Sequence, residues 1–285
     1  MRPVVLTIAG SDNSCGAGAQ ADLKTITALG GYAQTAITCV VAEIPGRVSA
    51  IQPVRPRIVA EQARLSLGAF PVAAIKTGML YSASIIRAVA AELDRLPKLP
   101  PLVVDPVMVA SSGDQLLKKS AIAAYENLLF PRAALVTPNL DELRILSGMP
   151  CRNPAEMKAA GLVLARKFGV PFLLKGGHLK ARRAVDILAS ETGFEEFHAD
   201  FIRGADTHGT GCAFSAAIAT GLAQGFPLTE SVARAKKFIS AAIASRLRWK
   251  KTSALNHSNN IPATSLLRAH PGRAKQGWER VCGPV

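Results

Sequence analysis

The 285-residue chain is 49% hydrophobic and 19% charged, which supplies a buried core and excludes the disordered, collagen-like and disulfide-scaffold classes. Its five cysteines (Cys15, Cys39, Cys151, Cys212, Cys282) form no Cys-x-x-Cys pair and no Cys/His ligand spacing, so reduced thiols are expected rather than structural zinc or disulfides. The net charge of +14 is dispersed, with short clusters such as 180–183 and 248–251, which argues for steering of anionic small molecules and against a specific nucleic-acid partner.

The first apolar run, Val4–Ala9, ends at Gly10. It is too short for a signal-peptide core or a membrane span and reads as a buried strand. No later stretch stays apolar for a span's length, so a soluble, cytoplasmic protein with no membrane partner is expected. A helix over Ala17–Leu29 is followed by a strand over Ala36–Val41, a helix over Ile58–Gly68 and a strand over Ala73–Thr77. The alternation continues with a helix at Ser84–Arg95, strands at Leu102–Asp105 and Ala134–Thr137, a helix at Glu156–Phe168 and a strand at Phe172–Lys175. Continuous apolar strands separated by amphipathic helices indicate a mostly parallel sheet buried on both faces. Ala184–Ser190 and Glu195–Asp200 read as an antiparallel hairpin at its edge, and helices over Gly211–Gln224 and Thr229–Leu247 complete the domain. Apolar periodicity then stops. Residues 1–250 are expected to form one domain and 251–285 a basic, flexible tail.

In such sheets ligands bind beyond the carboxyl ends of the strands. Four segments sit there. Gly10–Gly18 follows the first strand and allows close backbone approach, but it is neither a Walker A loop nor a dinucleotide fingerprint. Asp105 opens the second segment, with Val107 next and Ser111–Asp114 beyond; a carboxylate at a strand end suits metal-water or phosphate chemistry or fixes its own loop. In the third, Thr137-Pro138-Asn139-Leu140-Asp141-Glu142, Asn139 and Glu142 lie one helical turn apart. They can present oxygens to hydrated magnesium or form a helix cap. The fourth, Asp206–Phe214, carries most weight: the small residues Gly209, Thr210 and Gly211 open a helix whose unpaired N–H groups suit a transferring phosphoryl group. Cys212 at that helix start either is a small buried residue or is a base whose pKa the helix dipole lowers. His208 reads as structural support, and Lys175 as a point charge for phosphates or a solvated strand end.

Taken together, TIAGSDNSCGAGAQADLKT, DPVMVASSGD, TPNLDE, LLKGGH and THGTGCAFSAAIA resemble the hydroxymethylpyrimidine/phosphomethylpyrimidine kinases of thiamine biosynthesis, over roughly residues 3–248. The resemblance implies a three-layer α/β/α ribokinase-like fold and phosphorylation by ATP with Mg2+ of a hydroxymethylpyrimidine and of its monophosphate. Pyridoxal/pyridoxine kinase and a non-catalytic sensor are the alternatives, and a homodimer is the expected assembly. It implies Cys212 as catalytic base and Gly209, Thr210 and Gly211 as anion hole. Asn139 and Glu142 fall on the metal side, and Lys175, Thr137 and Asp105 on the nucleotide side. Gly10, Asp22, Met79 and Val107 fall in the pyrimidine pocket. Two residues depart from the pattern. Cys15 replaces a usual glycine, and Glu43 stands where that family usually has Gln. An ionised Glu accepts only, so it requires a protonated ring or must itself keep its proton.

Overall fold

The computed structural model describes residues 1–108, 119–177, 183–202, 208–250 and 252–258. Strands β1 (Val4–Asp12), β2 (Tyr32–Ile44), β3 (Arg47–Pro53), β4 (Val72–Thr77), β5 (Leu102–Val104), β6 (Leu135–Val136), β7 (Phe172–Lys175), β8 (Arg183–Ser190) and β9 (Gly193–Asp200) form one sheet. Its order is β3-β2-β1-β4-β5-β6-β7-β8-β9. The run from β2 to β7 is parallel, while β3, β8 and β9 pair antiparallel at the two edges. The expected parallel sheet and edge hairpin are both present.

Strand pleating divides the core into two layers. On one face Leu6, Ile8, Ile75, Val104 and Leu174 pack against α2 (Pro56–Ala69), α3 (Ala83–Leu93), α4 (Lys119–Ala124), α5 (Leu140–Ser147) and α6 (Pro154–Phe168). On the other face Val5, Ala74, Val103 and Leu173 pack against α1 (Gly18–Ala28), α7 (Thr210–Ala223) and α8 (Leu228–Ala244). Helix α7 is apolar all round because it is covered all round: every residue from Ala213 to Gly221 is buried. A side chain at Gly221 would press on Ser231 of α8, so small residues let these two helices touch.

Two elements escape the sequence pattern. β3 alternates poorly because it is an exposed edge strand ending at Pro53, joined to β2 by a tight turn at Gly46 (φ +80°). The segment expected to begin the tail instead packs on the domain. After α8, β10 (Leu247–Trp249) pairs with β11 (Thr252–Ala254), and Leu255 and His257 are buried. The Asn256 N–H donates to the Ala242 carbonyl at 3.3 Å. Burial holds the His257 imidazole at a pKa of about 4, hence neutral. Residues 259–285 of the expected tail lie outside the described residues.

Burying a leucine stabilises by about 1.5–3 kcal/mol, so the packed end has a measurable consequence. Truncation after Lys251 is expected to lower the melting temperature by roughly 3–12 °C relative to truncation after Ser258, at about 2–4 °C per kcal/mol for a chain of this size. Equal melting temperatures would show that the 252–258 segment adds no stability.

Candidate functional site

Strand β1 has β2 on one side and β4 on the other, so successive connections leave it in opposite directions and a crevice opens at its carboxyl end. A cleft of about 640 Å³ occupies that position. Twelve of the fourteen candidate residues line it; Asp22 and Thr137 do not. Both are buried, and Thr137 Oγ1 has no hydrogen-bond partner among the described residues.

The N-terminus of α7 forms the floor. Its N-cap, Gly209, has φ +77°, and a Cβ there would collide with the Gly16 carbonyl oxygen. Glycine is therefore required both for the backbone angle and for the contact between the first loop and this turn. Gly209 supplies no capping side chain, and Thr210, Gly211 and Cys212 of the first turn all face the cleft. The expected low thiol pKa is not found. Burial pushes Cys212 up to about 11, against the opposing charge of Lys76 and with the added repulsion of Asp105 and Asp22. Desolvation outweighs the helix dipole.

One wall carries the candidate nucleotide residues. Lys175 Nζ lies 2.8 Å from Asp105 Oδ1, and Ser215 Oγ lies 3.1 Å from Asp105 Oδ2. Burial works against the Lys175 charge, but Asp105 and Glu142 raise its pKa, so it stays protonated. Asn139 and Glu142 form the capping box: Asn139 Oδ1 accepts the Asp141 and Glu142 N–H groups, and Glu142 Oε2 accepts the Asn139 N–H at 2.8 Å. Glu142 Oε1 accepts the Met108 N–H at 2.9 Å, pinning a turn in which Val107 has φ +36°. A positive φ is strained for a β-branched residue. Burial raises Glu142 to about 7, with Lys175 opposing and Asp105 adding to the rise. These oxygens are committed to backbone donors, which disfavours direct metal ligation. Two carboxylates beside one lysine still leave an excess of negative charge, which fits a cation held through its own waters.

The opposite wall carries Gly10, Met79 and Glu43. A Cβ on Gly10 would lie 2.8 Å from Cys39 Sγ, so the backbone itself forms the surface there. Thr38 Oγ1 donates to the Met79 carbonyl at 2.6 Å, and Asn13 Oδ1 accepts the Glu43 N–H at 2.6 Å. Asp12 accepts from the N–H groups of Ser14 and Ala17 (2.7 Å each) and the Ser14 hydroxyl, and lies 3.0 Å from His208 Nε2. Burial disfavours its charge, yet these bonds hold its carboxyl well below the usual range. Burial, then the Asp12 charge, raises Glu43. His208, read from sequence as support, ties the first loop to the α7 turn.

The sequence reading missed Asp12 and Lys76. Asp12 ends β1 inside a segment read for its glycines. Lys76 is the lone charge in the apolar run Val72–Thr77 and is fully buried, 2.7 Å from Asp22 Oδ2. A charge inside a central strand was the available signal. Val109, Ser111–Asp114, His178, Asp206 and Thr207 lie outside the described residues. Cys15, Cys39, Cys151 and Cys212 are free thiols, as expected, and no helix among the described residues is long and apolar enough to cross a membrane.

The family model for phosphomethylpyrimidine kinase matches residues 12–257. The chain is 47% identical over 242 residues to the thiamine biosynthesis bifunctional protein of Geobacter sulfurreducens, covering 85% of this chain but 49% of that protein, so it spans about half of that relative's length. It is 42% identical over 245 residues to the hydroxymethylpyrimidine/phosphomethylpyrimidine kinase of Rhizobium meliloti, covering 86% of this chain and 91% of that one. Among solved structures, a pyridoxal kinase of Bacillus subtilis in complex with ADP superposes with TM-score 0.84 at 34% identity, covering 91% of this chain and 99% of that one. A phosphomethylpyrimidine kinase of Clostridium difficile superposes with TM-score 0.74 at 37% identity, covering 85% and 100%. The sheet is therefore that of a ribokinase-like kinase. Because the match runs from Asp12 to His257 and takes in the Lys175–Asp105 wall, the floor of the cleft and Glu43 and Met79 opposite, the chain belongs to the phosphomethylpyrimidine kinase family.

Proposed function

We propose that this enzyme transfers the γ-phosphoryl of ATP to the hydroxymethyl group of 4-amino-5-hydroxymethyl-2-methylpyrimidine, and then to the resulting monophosphate, on the route to thiamine diphosphate. The observation that carries the reading is the placement of Cys212 on the first turn of α7, between the Lys175–Asp105 wall and the Glu43–Met79 wall. A nucleotide on the first wall and an alcohol on the second meet over that turn.

In this reading the acceptor oxygen attacks the γ-phosphorus while the N–H groups of Thr210, Gly211 and Cys212 stabilise the charge on the equatorial oxygens. Lys175 neutralises phosphate oxygens as a point charge. Asp105 holds that lysine in place and is itself held by Ser215. Mg2+ bound with the nucleotide offsets phosphate charge, and Glu142 and Asn139 would hold it through its waters. Cys212 Sγ, once its own proton has passed to solvent, receives the acceptor proton, and the loose transition state of phosphoryl transfer lets that proton move late. Glu43 reads the ring. A carboxyl group with a raised pKa beside an aminopyrimidine can share one proton with the ring nitrogen. A cytoplasmic enzyme that acts as a homodimer completes the reading, with the catalytic domain extended to residue 258.

Pyridoxal kinase is the second reading, favoured by the TM-score of 0.84 to pyridoxal kinases. A panel of the hydroxymethylpyrimidine, its monophosphate, pyridoxine and pyridoxal, each with MgATP, separates the two. Turnover is expected on both pyrimidines, and preferential turnover of pyridoxine or pyridoxal would reassign the enzyme. Cys212→Ser is expected to lower turnover of the alcohol by about 10²–10⁴-fold, the usual span for a lost general base, with ATP affinity little changed. Near-normal turnover would remove Cys212 from the mechanism.

The shared proton has a definite sign. Above the pKa values of both ring and carboxyl, binding must take up one proton, so affinity falls with rising pH by at most about tenfold per unit. Glu43→Gln is expected to flatten that slope, because an amide can donate to the neutral ring. A mismatched pair would cost about 1–3 kcal/mol. Calorimetry of pyrimidine binding across neutral pH checks this, and parallel slopes would show that Glu43 does not read the ring.

A further inference from the structure

Beyond Lys175 the cleft holds an ion pair that the reading above does not use. Asp186 of β8 and Lys236 of α8 both line it, with Nζ 2.6 Å from Oδ2. Their side chains are only 5% and 12% exposed. Asp186 Oδ1 accepts the Gly176 N–H at 2.9 Å, and a Cβ on Gly176 would collide with the Val185 carbonyl oxygen, so the turn after Lys175 lies close against β8.

That turn explains an acceptor at position 186 but not a charge. An asparagine would take the same N–H, and exchanging a buried ion pair for neutral groups of similar volume is often neutral or stabilising. The ammonium is what remains to be accounted for. Among the described residues its one hydrogen-bond or ion-pair partner is Asp186, which leaves two of its three N–H donors for a ligand.

The place of Lys236 along the cleft decides which part of a ligand it meets. Lys175 and Asp186 are register partners on the neighbouring strands β7 and β8, so their side chains share one face of the sheet. Lys175 Nζ stands by the α7 turn, 3.1 Å from a Cβ built on Gly211. On the far side of Lys236 the lining becomes apolar. Ile239 and Ile243 follow it on the same face of α8, and Phe201 and Ile202 follow β9. From β7 through β8 to β9 the cleft thus offers the α7 turn with one ammonium, a second ammonium, and an apolar end. A nucleoside polyphosphate has the same order of chemistry: terminal phosphate, inner phosphates, base.

We propose that Lys236 binds the inner phosphates of the nucleotide, between the Lys175 end that takes the transferred group and the apolar end that takes the base, with Asp186 fixing the direction of its ammonium. The proposal rests on the reading that ATP is the phosphoryl donor and deepens it. Part of the nucleotide affinity then resides in α8, an element that carries no residue of the reacting centre.

Calorimetry of the full chain with ADP and Mg2+, next to binding of the hydroxymethylpyrimidine, tests this. Asp186→Asn combined with Lys236→Gln removes both charges, keeps an acceptor for the Gly176 N–H and lets the two amides bond to each other, so no buried ion is stranded. ADP affinity is expected to fall by about 10–100-fold, the span of a lost hydrogen bond to a charged group, with pyrimidine affinity unchanged. Asp186→Asn with Lys236→Met is a second neutral variant, and it decides the matter if the first does not fold. Lys236→Arg keeps the charge and its carboxylate partner and is expected to retain most of the wild-type ADP affinity. Wild-type ADP affinity in a folded neutral variant overturns the proposal and leaves ATP as the donor. A loss of equal size in Lys236→Arg assigns the effect to packing and overturns it too, as does an equal loss of pyrimidine affinity, the mark of a loosened cleft. Failure of the wild-type chain to bind ADP would sink the donor reading itself.

Discussion

Confinement of α7 fixes the rest of the site. A helix buried from Ala213 to Gly221 must satisfy its middle within itself, and its first turn can only open at the crevice where β1, β4 and β5 end. Any side chain at Gly209 would push that turn off the Gly16 carbonyl, and the Asp12–His208 contact ties the same two loops from the other side. The first loop and the helix start therefore move as one body. The Glu43–Met79 wall and the first turn of α7 cannot drift apart without breaking both contacts.

Around that turn the charges act as a group. Asp12, Asp22, Asp105, Glu142 and Lys76 are buried, and Lys175 is nearly so. At low dielectric no member titrates alone: Asp105 contributes to the shifts of Glu142, Lys175, Lys76 and Cys212. Neutralising one member alters its neighbours, so a substitution at Asp105 would act on both the Lys175 wall and the thiol.

The sheet was legible because parallel strands covered on both faces read as unbroken apolar runs, and Val4–Ala9 or Phe172–Lys175 admit no other element of that length. The cleft was legible because glycine and polar segments follow those strands at the carboxyl end. Legibility ended where local pattern and tertiary outcome part. Edge strand β3 faces solvent on much of its length and carries little alternation. Leu255 and His257 are buried by a two-strand hairpin that no periodicity announces. Lys76 looked like a strand residue because its partner is 54 positions away in sequence. The sign of the Cys212 shift was misread for a related reason. A helix start is visible in a sequence, but the depth at which it is buried is not.

That depth has a chemical consequence outside the reaction. With a pKa of about 11, only about one Cys212 in 10⁴ is ionised at pH 7. Peroxides and electrophilic metabolites attack thiolates, and a low-pKa cysteine exposed to them climbs toward sulfenic and then irreversible sulfinic acid. The resting thiol here is close to inert toward both. Burial that holds the thiol in its protonated form thus gives it oxidant tolerance.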